Sequence, residues 1–163
     1  MNPAIMQASA ADAAALAALH ARALPPGWPA ADFAASCENA SRIVLKAAGA
    51  RETLGLAVLQ FAADEAEILS IAVAEESRQH GVGSSILKAS IAACQQKLVS
   101  YIYLEVAEEN AAALKLYEKF GFAAIASRKN YYQAKSPAPV TALIMRLDVR
   151  RGLSSIDGKV RRT

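Results

Sequence analysis

Residues 78–83 read RQHGVG, two glycines one residue apart where an apolar stretch meets the next apolar pattern. Glycine allows the backbone of a tight turn and lets main-chain N–H groups come close to a ligand. A helix starting there adds the positive end of its dipole, so the guest that suits such a loop is an anion, above all a phosphate. What the stretch lacks narrows the choice. No lysine follows Gly83 before Lys88, so this is not the Gly-x-x-x-x-Gly-Lys-Ser/Thr loop of a nucleoside triphosphate site. Ile86 stands where a dinucleotide fingerprint has its third glycine. The spacing alone also fits a plain Gly-rich turn between strand and helix, so the neighbouring residues must decide.

The elements around the loop follow from periodicity. Residues 3–8 predict a short strand, and Ser9 with Asp12 three residues on reads as a variant capping box opening a helix to about Arg22. PPGWP at 25–29 breaks the chain, and Pro29 suits the first turn of a short second helix through Phe33. Three apolar segments at 42–48, 53–63 and 67–73, separated by Gly49 and by Asp64-Glu65, predict an antiparallel meander. After the glycines, Leu87, Ile91, Cys94 and Leu98 recur at helical spacing and define a buried stripe, which accounts for the Cys94 thiol as core. In YIYLEVA at 101–107, Ile102, Leu104 and Val106 face one way and Tyr101, Tyr103 and Glu105 the other. A further helix runs from about Asn110 to Gly121, and FAAIASRKNYY and PVTALIMRLDV supply two more strands. The fold class is α/β or α+β, a mixed sheet around a central β-α-β step.

Composition sets the outer bounds. At 163 residues, 54% hydrophobic and 20% charged, the chain is one domain of ordinary water-soluble composition enriched in alanine. No stretch reaches membrane-spanning length without a charge. The apolar first 24 residues lack a basic start and carry Asp12 and His20, so they read as an amphipathic helix of a cytoplasmic protein rather than an export signal. Cys37 and Cys94 have no metal spacing and are too few for a disulfide framework, so no metal is expected. The net charge of +3 divides into −1 over residues 1–148 and +4 over residues 149–163. The domain, residues 1–148, is therefore no basic nucleic-acid binder. The polar, aperiodic tail at 149–163 reads as disordered, with a possible polyanion contact.

Four ordered segments carry a resemblance. AEILSIAV, RQHGVG, LEVAEENAAALKLYEKFGF and RKNYY, supported by LHARALPPGWPAADFAA, closely resemble the GNAT N-acetyltransferase family, and within it the RimI-type branch that acetylates the α-amine of a ribosomal protein. The resemblance covers roughly residues 8–148 and implies the GNAT fold, a mostly antiparallel central sheet flanked by helices. It also implies acetyl-CoA as co-substrate and a protein N-terminus as acceptor. The loop would then hold the coenzyme A pyrophosphate, with Gln79, His80, Gly81, Val82, Gly83 and Ser84 as the amide cradle and Arg78 adding charge. Backbone groups of Ile71, Ala72 and Val73 would pair with the pantetheine arm like an added strand. Asn110, by itself an N-cap, would also touch the cofactor.

The implied catalytic roles agree with the chemistry. An ammonium has no lone pair, so the acceptor must lose a proton before it attacks a thioester, and the resemblance makes Glu105 the general base. The departing thiolate benefits from a proton, and Tyr117 matches the family's acid. Read from the residues alone, Glu105 is equally a solvated strand carboxylate and Tyr117 a core aromatic spaced with Ala113, Leu114 and Phe120. Cys37 has no partner base in the sequence, which leaves direct transfer in a ternary complex.

One position departs from the family pattern. Thr141 stands where an acidic residue is expected before the last strand, which bears on peptide recognition. Trp28, Tyr131 and Tyr132 are candidates for the substrate groove, and Glu75, Glu76, Glu108 and Glu109 for attracting a cationic N-terminus. A small-molecule or lysine acetyltransferase, or an acyl-CoA-binding module without catalysis, remains an alternative on the same cofactor loop.

Overall fold

The computed structural model describes residues 2–131 and 138–151. The strands are β1 (Ala4–Gln7), β2 (Arg42–Ala48), β3 (Thr53–Ala62), β4 (Glu65–Val73), β5 (Tyr101–Ala107), β6 (Ala123–Tyr131) and β7 (Val140–Asp148). They form one sheet in the order β1-β2-β3-β4-β5-β7-β6. Four helices cover it: α1 (Ala13–Ala23), α2 (Ala30–Glu38), α3 (Val82–Gln96) and α4 (Ala111–Lys119). On one face Leu16, Leu19 and Phe33 of α1 and α2 pack on Val44, Leu56, Val58 and Ala72. On the other, Leu87 and Cys94 of α3 and Tyr117 of α4 pack with Leu59, Ile68, Ile102, Leu104, Val106 and Met145. The meander and the alternation in β5 stand as the sequence predicts them.

Every strand pair is antiparallel except β4 and β5, which α3 joins as a crossover. That parallel pairing holds only from Glu65 opposite Tyr101 to Glu67 opposite Tyr103. A bulge lies just beyond it: Val58 pairs with Ser70 but Leu59 with Ile68, so Leu69 is an extra residue in β4. β5 meanwhile stays paired with β7 as far as Ala107 opposite Ala142. The C-terminal halves of β4 and β5 therefore separate, and the sheet opens between them.

Three local expectations need correction. Ser9 does not open α1 directly. Its N–H donates to Asp12 Oδ2 at 2.9 Å, a 3-10 turn covers Ala10–Asp12, and α1 begins at Ala13. Pro29 is the residue before α2 rather than inside it, in extended conformation, and α2 runs to Glu38 because Phe33 and Ser36 are buried on its inner face. Leu98 is not core: α3 ends at Gln96, Leu98 adopts φ +57 and is 84% exposed, and Val99 turns inward instead. The Leu98 N–H bonds to Gln95 and the Val99 N–H to Cys94, the hydrogen-bond pair of a left-handed helix ending. The buried stripe is Val82, Ile86, Leu87, Ser90 and Cys94. At the far end of the domain Val149 is buried and donates its N–H to Ser100 O at 3.0 Å, so the packed chain continues past Asp148. The rest of the basic tail, residues 152–163, lies outside the described residues.

Candidate active site

Gly81 and Gly83 serve different purposes. Gly81 has φ +80 and precedes α3, and a Cβ there would meet nothing within 4 Å, so its requirement is conformational. Gly83 lies in the first turn of α3, where a Cβ would stand 3.3 Å from Leu116 Cδ2 and 3.7 Å from Val73 Cγ2. Its requirement is close approach. Arg78 Nε donates to Val73 O at 3.3 Å, tying the loop to the end of β4. The first amides of α3 have no intrahelical acceptor, and they open the helix at this wall.

A cavity of about 490 Å³ begins at this loop, lined by Ile71, Ala72, Val73, Arg78, Gln79, Gly83, Leu116, Asn110 and Tyr117. A second, of about 460 Å³, occupies the opening between β4 and β5 and is lined by Ser70, Ile71, Leu104, Glu105, Ala107, Asn110 and Tyr117. Leu24, Ile71, Asn110, Ala113 and Tyr117 belong to both, so the two spaces adjoin. Most of the residues assigned from the sequence thus come together. His80 and Val82 do not: they line a separate cavity with Asn2, Gly49 and Glu76. Val82 is also buried against Ala47, Ala57 and Ile86. Only their main chain remains on the loop. Ser84 is half-buried in the first turn of α3 and lines neither adjoining space.

Glu105 sits on the exposed face of β5 and accepts from Arg128 Nη2 of β6 at 3.2 Å, an ion pair reaching across β7. Asn110 does cap α4, its Oδ1 accepting from Ala113 N–H at 3.2 Å. Tyr117 is 5% exposed, and burial pushes its phenol up to about 12. Its ring is fixed by the end of α4. Gly121, at φ +95, lets the Phe122 N–H return to Tyr117 O and brings the two rings to 5.8 Å. The phenol is held as a neutral donor on the boundary of both cavities.

Other candidates lie elsewhere. Trp28 packs with His20 and Phe33 at ring separations of 5.0 and 5.6 Å and lines neither cavity. Tyr131 ends β6, and Tyr132 lies outside the described residues. Thr141 contributes its carbonyl, which accepts from Glu108 N–H at 2.8 Å. Of the four acidic candidates Glu109 lines the β4–β5 opening, while Glu76 lines the separate cavity beside His80. Sequence reasoning missed Leu24, Ser70 and Arg128. The only signal for Ser70 was a polar residue inside an apolar strand, and Arg128 sat unassigned just before the RKNYY segment's lysine.

The arrangement joins an anion-binding loop, a strand edge without a neighbour, a neutral buried phenol and a solvent-facing carboxylate. A ligand lying along Ile71–Val73 would complete the interrupted sheet, with its phosphate end at Gly83 and its reactive end between Tyr117 and Glu105. A nucleophile entering on the Glu105 side would meet it there.

The comparisons with known proteins point the same way. The chain is 33% identical over 110 residues to a [Ribosomal protein bS18]-alanine N-acetyltransferase from Haemophilus ducreyi, covering 68% of this chain and 76% of that one. It is 36% identical over 93 residues to the Escherichia coli protein of the same name, covering 57% of this chain and 62% of the relative. The crystal structure of the ribosomal-protein-S18-alanine N-acetyltransferase from Escherichia coli superposes with a TM-score of 0.83 at 28% identity, over 90% of this chain and 93% of that one. The model of the acetyltransferase (GNAT) family matches residues 13–122, and the chain belongs to that family.

Proposed function

We propose that this protein transfers the acetyl group of acetyl-CoA to a protein N-terminal α-amine, with the N-terminal alanine of a small-subunit ribosomal protein as its acceptor. The observation that carries the reading is the pair of adjoining cavities, one on the glycine loop and the other on Glu105, with Tyr117 on the wall of both. The names of the relatives supply the acceptor.

Acetyl-CoA brings an acyl group activated as a thioester, and the residues present fit it. Gly83 leaves the space that a Cβ would fill, Arg78 and Gln79 line the phosphate end, and the β4 edge from Ile71 to Val73 is open to pairing. Glu105, oriented by Arg128, takes the proton that the acceptor amine must lose. Tyr117 donates toward the sulfur as negative charge grows there. An α-amine, with an ordinary pKa of about 7.7 to 8.0, is roughly one-tenth neutral at pH 7, whereas a lysine near 10.4 is neutral only a few times in ten thousand. The base therefore has a smaller task with the α-amine.

Incubating the protein with acetyl-CoA and a panel of peptides, each carrying one lysine and either a free or a blocked N-terminal alanine, tests the reading. Mass spectrometry should locate the acetyl group on the free terminus. Comparable turnover of the blocked peptides, with the label on lysine, overturns it.

A further inference from the structure

Ser70 stands beside the extra residue of the β4 bulge, and its Oγ lies 2.8 Å from Nε2 of the buried His20. The other ring nitrogen settles which group donates. The main-chain N–H of Trp28 reaches His20 Nδ1 at 2.9 Å, and an amide can only donate, so Nδ1 is the acceptor and the ring's single proton is on Nε2. Nε2–H therefore donates to Ser70. Protonating the ring would set Nδ1–H against the Trp28 N–H, and burial also pulls the His20 pKa down.

The consequence falls on Ser70. Its oxygen accepts from His20, so its own proton must point elsewhere, and Ser70 makes no other side-chain hydrogen bond among the described residues. Ser70 lines the β4–β5 opening together with Glu105 and Tyr117. Strand alternation puts Ser70 and Glu105 on the same face of the sheet. Ala72, two residues beyond Ser70, packs in the α1–α2 core, whereas Leu104 and Val106, on either side of Glu105, pack in the α3–α4 core. A hydroxyl with a proton to give thus faces the side on which the carboxylate stands.

We infer that Ser70 is an acceptor-binding residue, its hydroxyl donating to the first carbonyl oxygen of the incoming chain while Glu105 meets the amine, and that His20 is the positioning residue that turns the hydroxyl. The inference rests on the α-amine reading above and deepens it. An N-terminal α-amine has a carbonyl carbon two bonds away, whereas a lysine ε-amine has only methylene at that distance. One donor at this place distinguishes the two amines by what adjoins the nitrogen, independently of how easily either loses its proton.

The test uses the full chain and two acceptors: a peptide with a free N-terminal alanine, and the same peptide with its first peptide bond replaced by a trans-alkene that keeps the shape without the carbonyl oxygen. Ser70→Ala should raise the KM for the natural peptide about 5- to 10-fold, the loss expected of one hydrogen bond. It should leave the KM for acetyl-CoA unchanged and make no difference on the alkene acceptor, for which the wild type already lacks the bond. Ser70→Thr, which keeps a hydroxyl, should stay within about twofold of the wild type. His20→Phe should lose on the natural peptide alone, with a melting curve to establish that it is folded. An equal loss by Ser70→Ala on both acceptors, or an unchanged KM for the natural peptide, overturns the inference while leaving the α-amine assignment intact. If the wild type acetylates no free α-amine, the functional reading fails, and the role of Ser70 with it.

Discussion

Tyr117→Phe separates the energetics of the phenol from its chemistry. Burial raises the Tyr117 pKa from 10.0 to about 12, so the folded protein keeps a proton that the unfolded chain gives up in that interval. Where the folded state binds more protons, stability falls as pH rises. The loss begins near pH 10, where the unfolded chain ionises, and is complete above about 12. At about pH 11.5 it amounts to about 2 kcal/mol, from roughly two units at about 1.4 kcal/mol each, less the part not yet reached. Phenylalanine lacks this term. Urea unfolding of the two proteins at pH 8 and pH 11.5 should show the wild type losing about 2 kcal/mol more than Tyr117→Phe over that span. The same pKa limits catalysis. Full proton transfer from a phenol near 12 to a thiolate of ordinary pKa about 8.5 is uphill by about 5 kcal/mol, so Tyr117 acts by hydrogen bonding to the developing charge. Tyr117→Phe should then lower kcat about 10- to 100-fold, the value of one strong hydrogen bond, with the KM for acetyl-CoA little changed. Parallel alkaline loss of stability in both proteins, or a wild-type kcat in the variant, refutes the reasoning.

Gly83→Val should weaken acetyl-CoA binding at least tenfold by calorimetry without changing the KM of the acceptor, since its side chain enters the space beside Leu116 and Val73. Gly81→Ala meets open space but must hold φ +80, so it should lower stability by about 1–2 kcal/mol in urea unfolding and affect cofactor binding less. Glu105→Gln should lower kcat/KM by roughly 10²-fold or more, with partial recovery in alkaline buffer where the amine deprotonates unaided. His20 is depressed below 6.5 by burial, so the unfolded chain takes up its proton first as pH falls. Wild-type stability should therefore decline as pH drops through 6.5, and His20→Phe should lack that part of the slope in unfolding curves at pH 7.5 and 5.5.

What the sequence made legible was local. The alternation of β5 exposes Glu105, Asn110 caps its own helix and Gly121 ends it, because each depends on residues within a few positions. The glycine loop was legible too, though the two glycines act for different reasons that only the packing of Leu116 reveals. The opening between β4 and β5 was not. It needs the bulge at Leu69 and a parallel pairing that stops at Glu67, and no pattern within either strand encodes the register of its neighbour. Arg128–Glu105 and His20–Ser70 escaped for the same reason, being 23 and 50 residues apart in sequence. The errors at Pro29 and Leu98 came from helix ends, where one residue's φ decides which side chain turns inward.

The order of events at the site can be argued from where the thiols are. A covalent acetyl-enzyme would need a nucleophile beside the thioester, and cysteine is the side chain best suited to accept it. Cys94 is fully buried on α3, and its thiol is pushed up to about 12 by burial. Cys37, half-buried on α2, is raised by burial and then by the nearby Asp12 and Glu38 carboxylates. Both are therefore protonated at neutral pH, and neither lines either of the adjoining cavities. The two cavities instead give each substrate its own wall, with Tyr117 common to both, so the amine can reach the thioester while both substrates are bound. Initial rates measured over a grid of acetyl-CoA and peptide concentrations should give intersecting double-reciprocal lines, and Cys37→Ser should keep wild-type kcat. Parallel lines, together with an acetyl group retained on the protein after incubation with acetyl-CoA alone, would show that the acyl group passes through a side chain and that the adjoining cavities do not hold the two substrates at once.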